Sequence, residues 1–416
     1  MAATARTPVP AGGPAPARTP TPARTPAAGG RRICVMTFNR ADYTPLRPLL
    51  TALDRHPGVE LSVMLSGAHL APHFGTAADV VADGWPVTAR VEMLVASDTR
   101  VGMGKSFALG VAGFVDALAR DDPAVVVILG DRYEALAAAV AALLLDIPIA
   151  HIAGGQVTTG VVDDSIRHAI TKLALLHFTS TARSRRRVVQ LGEAPERVHA
   201  VGALGVDNAL RACADAPEEL QLVPPLRHPY LLVTYHPAPH AGVPVERGVA
   251  ALLGALERFP AADVVFTRPN PDAGGRVIDA AVDAWVAGHH ERARCCASLG
   301  ADAYPRLLAR AAAVVGNSSS GLIEAPALGV PSVNVGVRQD GRPRATSVLD
   351  AVEDSGAIAA ALDTALSPEF QRTARTARSP YGDGHAADRI AEILTAADLD
   401  ALQPKRFHDL PATAAP

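Results

Sequence analysis

Cysteine is scarce in this chain. Cys34, Cys213, Cys295 and Cys296 are the only four in 416 residues. They have neither the spacing of a zinc site nor the density of a disulfide scaffold, which favours a reducing, cytoplasmic setting. An excess of charge of either sign is also missing. Thirty-nine Lys and Arg face 42 Asp and Glu, a net charge of −3, with the signs interspersed. That balance excludes a general nucleic-acid-binding face and a polybasic membrane surface. No unbroken apolar run reaches the about 18 residues of a membrane span. The longest, Ala135–Leu145, is alanine-rich and reads as a buried helix. No G-x-G-x-x-G follows the first predicted strand, so NAD is not implied, and no convincing set of His, Asp and Glu ligands calls for a metal. No cofactor is expected.

Apolar residues make up 49% of the chain, ample material for two or three cores at this length. Residues 1–32 are a different material, nearly all Ala, Pro, Thr, Arg and Gly, with Ala-Arg-Thr-Pro recurring at 5–8, 17–20 and 23–26. Such a segment buries too little apolar surface to offset its ordering entropy and is expected to be disordered; it also lacks the apolar stretch of a signal peptide. From there, short β-rich runs alternate with helical segments. Ile33–Phe38, Glu60–Ser66, Val125–Leu129, Ile147–Ile152, His177–Ser180 and Val198–Val201 read as parallel strands covered on both faces, with helices clearest at Tyr133–Leu145 and Asp163–Leu176. Pro and charge break the pattern at 214–229, the expected linker. A second set of strands follows at Tyr230–Tyr235, Val264–Thr267, Cys295–Leu299, Ala313–Val315 and Ser332–Val335. The predicted fold is α/β: two Rossmann-like, doubly wound domains at 33–213 and 230–380, a C-terminal helix within 381–400, and a loose tail at 401–416.

The chain is organised around Gly316 to Ala345, GNSSSGLIEAPALGVPSVNVGVRQDGRPRA. A buried strand ends in the small polar cluster Asn317-Ser318-Ser319-Ser320-Gly321, and a helix follows. A helix N-terminus beside serine hydroxyls suits a diphosphate, because free N–H donors and the helix dipole both favour negative charge. Glu324, in the first turns of that helix, can accept from a ribose diol. The loop after the next strand carries Arg338, Arg342 and Arg344, whose planar guanidiniums suit phosphate. Each feature alone is most often a plain cap or a solvated charge; their order and spacing together point to a nucleotide site.

Ligands of open α/β sheets bind beyond the carboxyl ends of the strands, so the loops there supply the remaining candidates. Those are Arg40 and Asp42 after the first strand, His69 after the second, Asp131 and Arg132 after Val125–Leu129, His236 after Tyr230–Tyr235 and Asn270 after Val264–Thr267. In the helix from Asp163, the pairs Asp163/Arg167 and Asp164/His168 are four apart and can share a face. The bland reading of each pair is a surface salt bridge. Gly104-Lys105-Ser106 mimics the end of a P-loop, but no strand precedes it.

Several of these stretches carry a resemblance: Cys34-Val-Met-Thr-Phe-Asn-Arg-Ala-Asp-Tyr43, Gly130-Asp-Arg-Tyr-Glu134, Asp163-Asp-Ser-Ile-Arg-His-Ala-Ile-Thr-Lys172, His236-Pro237 and the 316–345 segment. Together they resemble the UDP-N-acetylglucosamine 2-epimerase family, in its hydrolysing branch, over nearly the whole chain after residue 32. The resemblance implies a GT-B-like pair of domains facing a cleft, with the C-terminal helix crossing back to the first. It also implies release of UDP from a UDP-N-acetylhexosamine by elimination across C1 and C2, then addition of water with inversion at C2. By motif match Asp131, Asp163 and His236 take catalytic roles and His69 a role in catalysis or sugar binding. Arg132, Ser318, Ser319, Gly321, Glu324 and Arg338 hold the nucleotide sugar, with Arg40, Asp42, Arg167, His168, Asn270 and Arg342 as further substrate contacts. Relatives of this type assemble as homo-oligomers.

Three positions depart from the family pattern. Pro45 stands where a lysine belongs, and His151-Ile-Ala153-Gly-Gly-Gln156 has alanine and glutamine where carboxylates belong. Alanine moves no proton, and glutamine hydrogen-bonds without ionising. A glycosyltransferase that hands the sugar to a small-molecule acceptor is therefore a close alternative, and a non-catalytic UDP-sugar binder a distant third.

Overall fold

The computed structural model describes residues 30–71, 76–97, 99–158, 162–214, 226–227, 229–238, 242–268, 274–296 and 299–410. The tail before residue 30, most of the expected linker and Asn270 lie outside the described residues.

Two parallel sheets form the frame. The first joins β1 (Arg31–Thr37), β2 (Val59–Ser66), β3 (Val87–Val91), β4 (Val125–Leu129), β5 (Ile149–Ile152), β6 (Leu176–Thr179) and β7 (Val198–Ala200) in the order β3-β2-β1-β4-β5-β6-β7. The second joins β8 (Tyr230–Thr234), β9 (Asp263–Thr267), β10 (Ala293–Cys296), β11 (Ala313–Gly316), β12 (Ser332–Val335) and β13 (Val348–Ala351) in the order β10-β9-β8-β11-β12-β13. The central strands are apolar without alternation because helices cover both faces. Cores of buried aliphatic side chains lie on either side of the first sheet, one built on Leu46, Leu49, Leu50 and Val127, the other on Met36, Phe114 and Ile128.

Strand order reverses between β1 and β4 in the first sheet and between β8 and β11 in the second. Crevices open at such reversals, so the loops after these four strands are where a ligand would sit. The second reversal is tight: Gly316 has φ 132°, and a Cβ there would stand 2.0 Å from the Thr234 carbonyl oxygen. Only glycine lets β11 run this close to β8.

Helices hold the sheets face to face. Helix Leu204–Ala214 packs on Gly300–Arg310, with Asn208 Nδ2 donating to the Ala301 carbonyl (3.1 Å) and Arg306 Nε to the Ala212 carbonyl (2.9 Å). Arg47 spans the lobes, bonding Asp83 at 3.0 Å and Asp302 at 2.9 Å. Helix Ala386–Ala396 returns to the first domain and buries Ile390 and Leu394 in its core; the Asp207 carboxylate caps its start by accepting from the Ala387 N–H at 2.7 Å.

The structure adds β3 and β13, both at sheet edges, and places β10 at Ala293–Cys296 rather than Cys295–Leu299. Residues 401–410, expected to be loose, are bonded to the first domain: the Leu402 carbonyl accepts from Arg197, and His408 N–H donates to the Gly192 carbonyl at 2.9 Å. Helix Arg100–Asp121 is long and apolar enough to cross a membrane by length and composition, although Lys105 and Asp116 interrupt its apolar run. It lies along Tyr133–Leu144 and buries Phe114, Ala117 and Leu118. The P-loop-like Gly104-Lys105-Ser106 sits inside that helix, where Ser106 Oγ accepts from the Val95 N–H at 2.9 Å.

Gly316→Ala should lower the unfolding free energy by at least about 2 kcal/mol in urea denaturation, through backbone strain and the forced separation of β8 and β11. A change within about 0.5 kcal/mol would show that the two strands part at little cost.

Candidate active site

The first half of the site is built on Arg167, which is 3% exposed. Its guanidinium donates to Asp131 through Nε (2.8 Å) and Nη2, to Asp164 Oδ1 (3.0 Å) and the Gln156 carbonyl (2.8 Å) through Nη1, and to Thr158 Oγ1 (3.0 Å). Arg167 thus pulls the loop after β4, the loop after β5 and its own helix, Val162–Leu173, to one point. The expected Asp163/Arg167 pair does not form. Arg167 turns inward to Asp131 and Asp164, and Asp163 has no hydrogen-bond partner among the described residues. Burial, then the charge of nearby Asp131, raises the Asp163 pKa against the pull of Arg132 and Arg167. His168 does meet Asp164, at 3.5 Å, with its Nδ1 buried and unpartnered.

Beside this cluster, Asn39 caps the helix after β1 by accepting from the N–H groups of Ala41 (2.7 Å) and Asp42 (3.2 Å). This sets Asp42 in the first turn, buried, with Oδ2 unpartnered. Burial, opposed by Arg132, pushes its pKa up to about 7. Arg40 beside it is exposed. Arg132 pairs with Glu134 through two 3.2 Å bonds instead of with Asp131. His69 is 1% exposed and committed at both ring nitrogens, to Thr37 Oγ1 (2.9 Å) and Thr76 Oγ1 (2.8 Å). Burial lowers its pKa to about 4, so it is a neutral tie between β1 and the turn after β2.

Of the departures, Ala153 sits in strained backbone. Ala153 has φ 69°, and Gly155, φ 74°, passes so close to the Ser184 carbonyl that a Cβ would stand 2.3 Å from it. The Gln156 side chain points away from Arg167 and donates to Ser180 Oγ at 2.7 Å. His151, buried at the end of β5, was legible only as part of the motif. Its Nε2 meets the Gly130 carbonyl at 2.8 Å, which requires an N–H there and leaves Nδ1 an acceptor, 3.2 Å from a Thr171 hydroxyl whose one proton is shared with the Arg167 carbonyl. Burial lowers its pKa to about 3.

The second half starts from Asn317, fully buried at the end of β11. Its side chain accepts from the His236 N–H (2.7 Å) and donates to the His236 carbonyl (2.8 Å), fixing the loop after β8. Its own carbonyl accepts from Arg338 (3.1 Å) and Gln339 (2.8 Å). Burial and then Arg338 lower the His236 pKa to about 4. Helix Ser320–Ala327 begins without a side-chain cap at Ser319; Ser318 Oγ accepts from the Ser320 N–H at 3.3 Å, and Gly321 packs on Ser332. Glu324 keeps a buried, unpartnered Oε2, its pKa raised by burial, and lies against Gly205 of the first domain.

The three loop arginines separate. Arg338 holds Asn317, and Arg344 is consumed by Asp350 (2.7 Å) and Asp340 (3.3 Å). The Arg342 guanidinium has no ion pair or hydrogen bond among the described residues, although its backbone N–H donates to the Gln339 carbonyl and its carbonyl accepts from Arg344. It stands between the lobes, sensing Tyr381 and Glu324 on one side and Arg167 and Asp131 on the other, and burial lowers its pKa. A half-buried guanidinium without a partner is placed to take an anion. Among the described residues no three His, Cys, Asp or Glu side chains come together as a metal centre.

The family model described as UDP-N-acetylglucosamine 2-epimerase matches residues 51–395. The chain belongs to that family. A Campylobacter jejuni relative named GDP/UDP-N,N'-diacetylbacillosamine 2-epimerase (hydrolyzing) is 33% identical over 383 residues, covering 91% of this chain and 99% of the relative. A Legionella pneumophila UDP-N,N'-diacetylbacillosamine 2-epimerase (hydrolyzing) is 31% identical, covering 88% and 95%. Among solved structures, the Neisseria meningitidis UDP-GlcNAc 2-epimerase bound to UDP-GlcNAc superposes with a TM-score of 0.76 at 16% identity, covering 87% of this chain and 99% of that one. The fold is the GT-B-like pair of domains that this epimerase family uses.

Asp42 gives the first half of the candidate site a pH signature. Because its folded pKa lies above the about 3.9 of an unfolded aspartate, the native state keeps a proton that the unfolded chain has lost between pH 4 and 7, and its stabilising effect fades as pH rises through 7. Asp42→Asn should therefore gain stability relative to the parent as pH goes from 5 to 8 in chemical denaturation. A pH-independent difference would place the Asp42 carboxyl in water.

Proposed function

We propose that this chain is a hydrolysing 2-epimerase of a UDP-linked 2-acetamido sugar. The observation that carries the reading is the mismatch between the two arginines of the cleft, Arg167 saturated with partners and Arg342 without any. The uncapped helix start at Ser318–Gly321 and Arg342 form one cradle for the two phosphoryl groups, Glu324 takes the ribose, and the sugar falls toward Asp131, Asp163 and His236.

Elimination removes the proton on C2 while the C1–O bond breaks, leaving an acetamidoglucal and UDP. Water then supplies oxygen to C1 and a proton to the opposite face of C2. Asp163, unpartnered and with a raised pKa, is the group suited to take the C2 proton from one face, and Asp42, another carboxyl whose pKa burial raises, is the group suited to supply the proton that reaches the other face. Asp131 is fixed by Arg167 and orients the ring, while Arg342 balances charge on the departing diphosphate. Asp42, Arg40, Arg132 and His168 line the first half of this site, and Arg338 and His236 the second. The substrate is a bacterial-type N-acetylhexosamine nucleotide, with the 4-acetamido sugars of the similar proteins in range. Self-association belongs to the same proposal, and the exposed Val101, Met103 and Leu109 on helix Arg100–Asp121 give it a surface.

A second reading rests on Ala153 and Gln156. With no carboxylate at either position, C1–O ionisation can outlast C2 deprotonation, and an acceptor hydroxyl would capture the sugar as in a glycosyltransferase.

Incubation with UDP-GlcNAc or UDP-N,N'-diacetylbacillosamine in deuterium oxide should give UDP and a free sugar inverted at C2 with deuterium on that carbon. UDP released only when an acceptor is added supports the transferase, and tight UDP binding without turnover leaves a binding protein. In calorimetry, Arg342→Ala should weaken UDP binding by about 10- to 100-fold, the loss of one charge-assisted phosphate contact; unchanged affinity would remove the diphosphate cradle from this cleft.

A further inference from the structure

The segment after helix Ala386–Ala396 runs back along the first domain. Leu399 is buried in its core, the Leu402 carbonyl takes Arg197, and the His408 N–H reaches the Gly192 carbonyl. Phe407 lies so close on Gly192 that a Cβ there would stand 2.4 Å from the ring, and Lys172 Nζ sits 4.9 Å from the ring centre. Between these ties, Lys405 inserts at the C-terminal end of helix Val162–Leu173. Its Nζ donates to the carbonyls of Lys172 and Ala174, both at 2.7 Å, and lies 2.7 Å from Glu193 Oε2.

The last carbonyls of a helix have no intrahelical donors, and the dipole there favours a cation. Lys405 meets both needs with one side chain that belongs to the far end of the sequence. Glu193 closes the cluster. It is fully buried and accepts from Lys172 (2.6 Å) and His177 (2.9 Å) as well as Lys405. Burial alone would raise its pKa, but the bonds from His177, Lys172 and Lys405 hold it down at about 2.

The clamped helix is the one that carries Asp163, Asp164 and Arg167 at its other end. Just before the clamp, Thr171 Oγ1 meets the Arg167 carbonyl (3.0 Å) and His151, whose other nitrogen holds the Gly130 carbonyl next to Asp131. At 1.5 Å per residue the clamp is about 15 Å from Asp163, too far for Lys405 to touch a ligand there.

We propose that residues 398–408 form a strap that sets the axial position of helix Val162–Leu173, with Lys405 as a positioning residue for Asp131, Asp163 and Arg167. The activity arm of this inference rests on the function proposed above; the structural arm does not.

The test uses full-length Lys405→Met and Lys405→Arg proteins. In Lys405→Met, amide hydrogen exchange over residues 162–173 should rise about tenfold, and kcat for UDP release should fall about tenfold with KM within about threefold. UDP affinity, set by the second domain, should stay within about twofold, and Lys405→Arg should recover most of the protection and rate. Phe407→Ala, which removes an exposed ring from the same strap, serves if Lys405→Met does not fold, and should move exchange and kcat in the same direction. Unchanged exchange over 162–173 would overturn the strap. Raised exchange with an intact kcat would overturn the positioning role. If the parent protein turns over no nucleotide sugar, the functional reading has failed while the exchange data still decide whether the strap holds the helix.

Discussion

One buried charge governs the first half of this cleft. A guanidinium with 3% exposure is tolerable only if its donors are all met, because an unpaired buried charge costs several kcal/mol. Arg167 meets that demand by drawing Asp131, Asp164, Thr158 and the Gln156 carbonyl to itself. The loops after β4 and β5 and the start of helix Val162–Leu173 are separate in sequence and would each be mobile alone. Arg167 makes them one object. Much of what is held on this side of the cleft is held directly or indirectly by it.

The other half is built on the opposite principle. Asn317 and Gln339 form a neutral frame that fixes the backbone around His236, while Glu324 keeps one buried oxygen unmet and the half-buried Arg342 guanidinium has no partner among the described residues. On the proposed reading, a rigid frame around these groups is preorganisation, in which part of the cost of desolvating the binding groups is met at folding instead of when the ligand arrives. Gly205 belongs to this arrangement, since a side chain there would push the Glu324 carboxyl from its place.

How much of this the residues disclose in advance depends on the range of the interaction. The central strands were legible because burial on both faces leaves unbroken apolar runs, as in Val125–Leu129 and Ala313–Val315. β3 and β13 were not, because edge strands are half exposed and Val-Thr-Ala-Arg-Val lacks that pattern. Strand-end loops announced most of the candidate site by topology alone. Side-chain pairing was less visible. Helical spacing offered Asp163 to Arg167, but a tertiary partner, Asp131, outcompeted it, and Asp164 took the remaining donor. Lys405 reads as one more solvated lysine near the end of the chain; its partners lie more than 200 positions upstream, where no local pattern points to it.

The departures at 153 and 156 then acquire a physical meaning on the proposed reading. A carboxylate at Ala153 would demand an extended side chain in left-handed backbone, and one at Gln156 would lose the N–H that donates to Ser180 Oγ and add a negative charge to the loop that Arg167 draws in. With that charge absent, Arg167 is already balanced by two carboxylates, and the proton chemistry falls to groups outside its grasp. Asp163 is one, with no bond to hold it ionised. Asp42 is the other, with an unmet oxygen beneath Arg132. Two carboxyls whose environments resist ionisation, beside two that Arg167 keeps paired, divide the cleft into a part that moves protons and a part that stays charged, which is the division that an elimination followed by hydration requires.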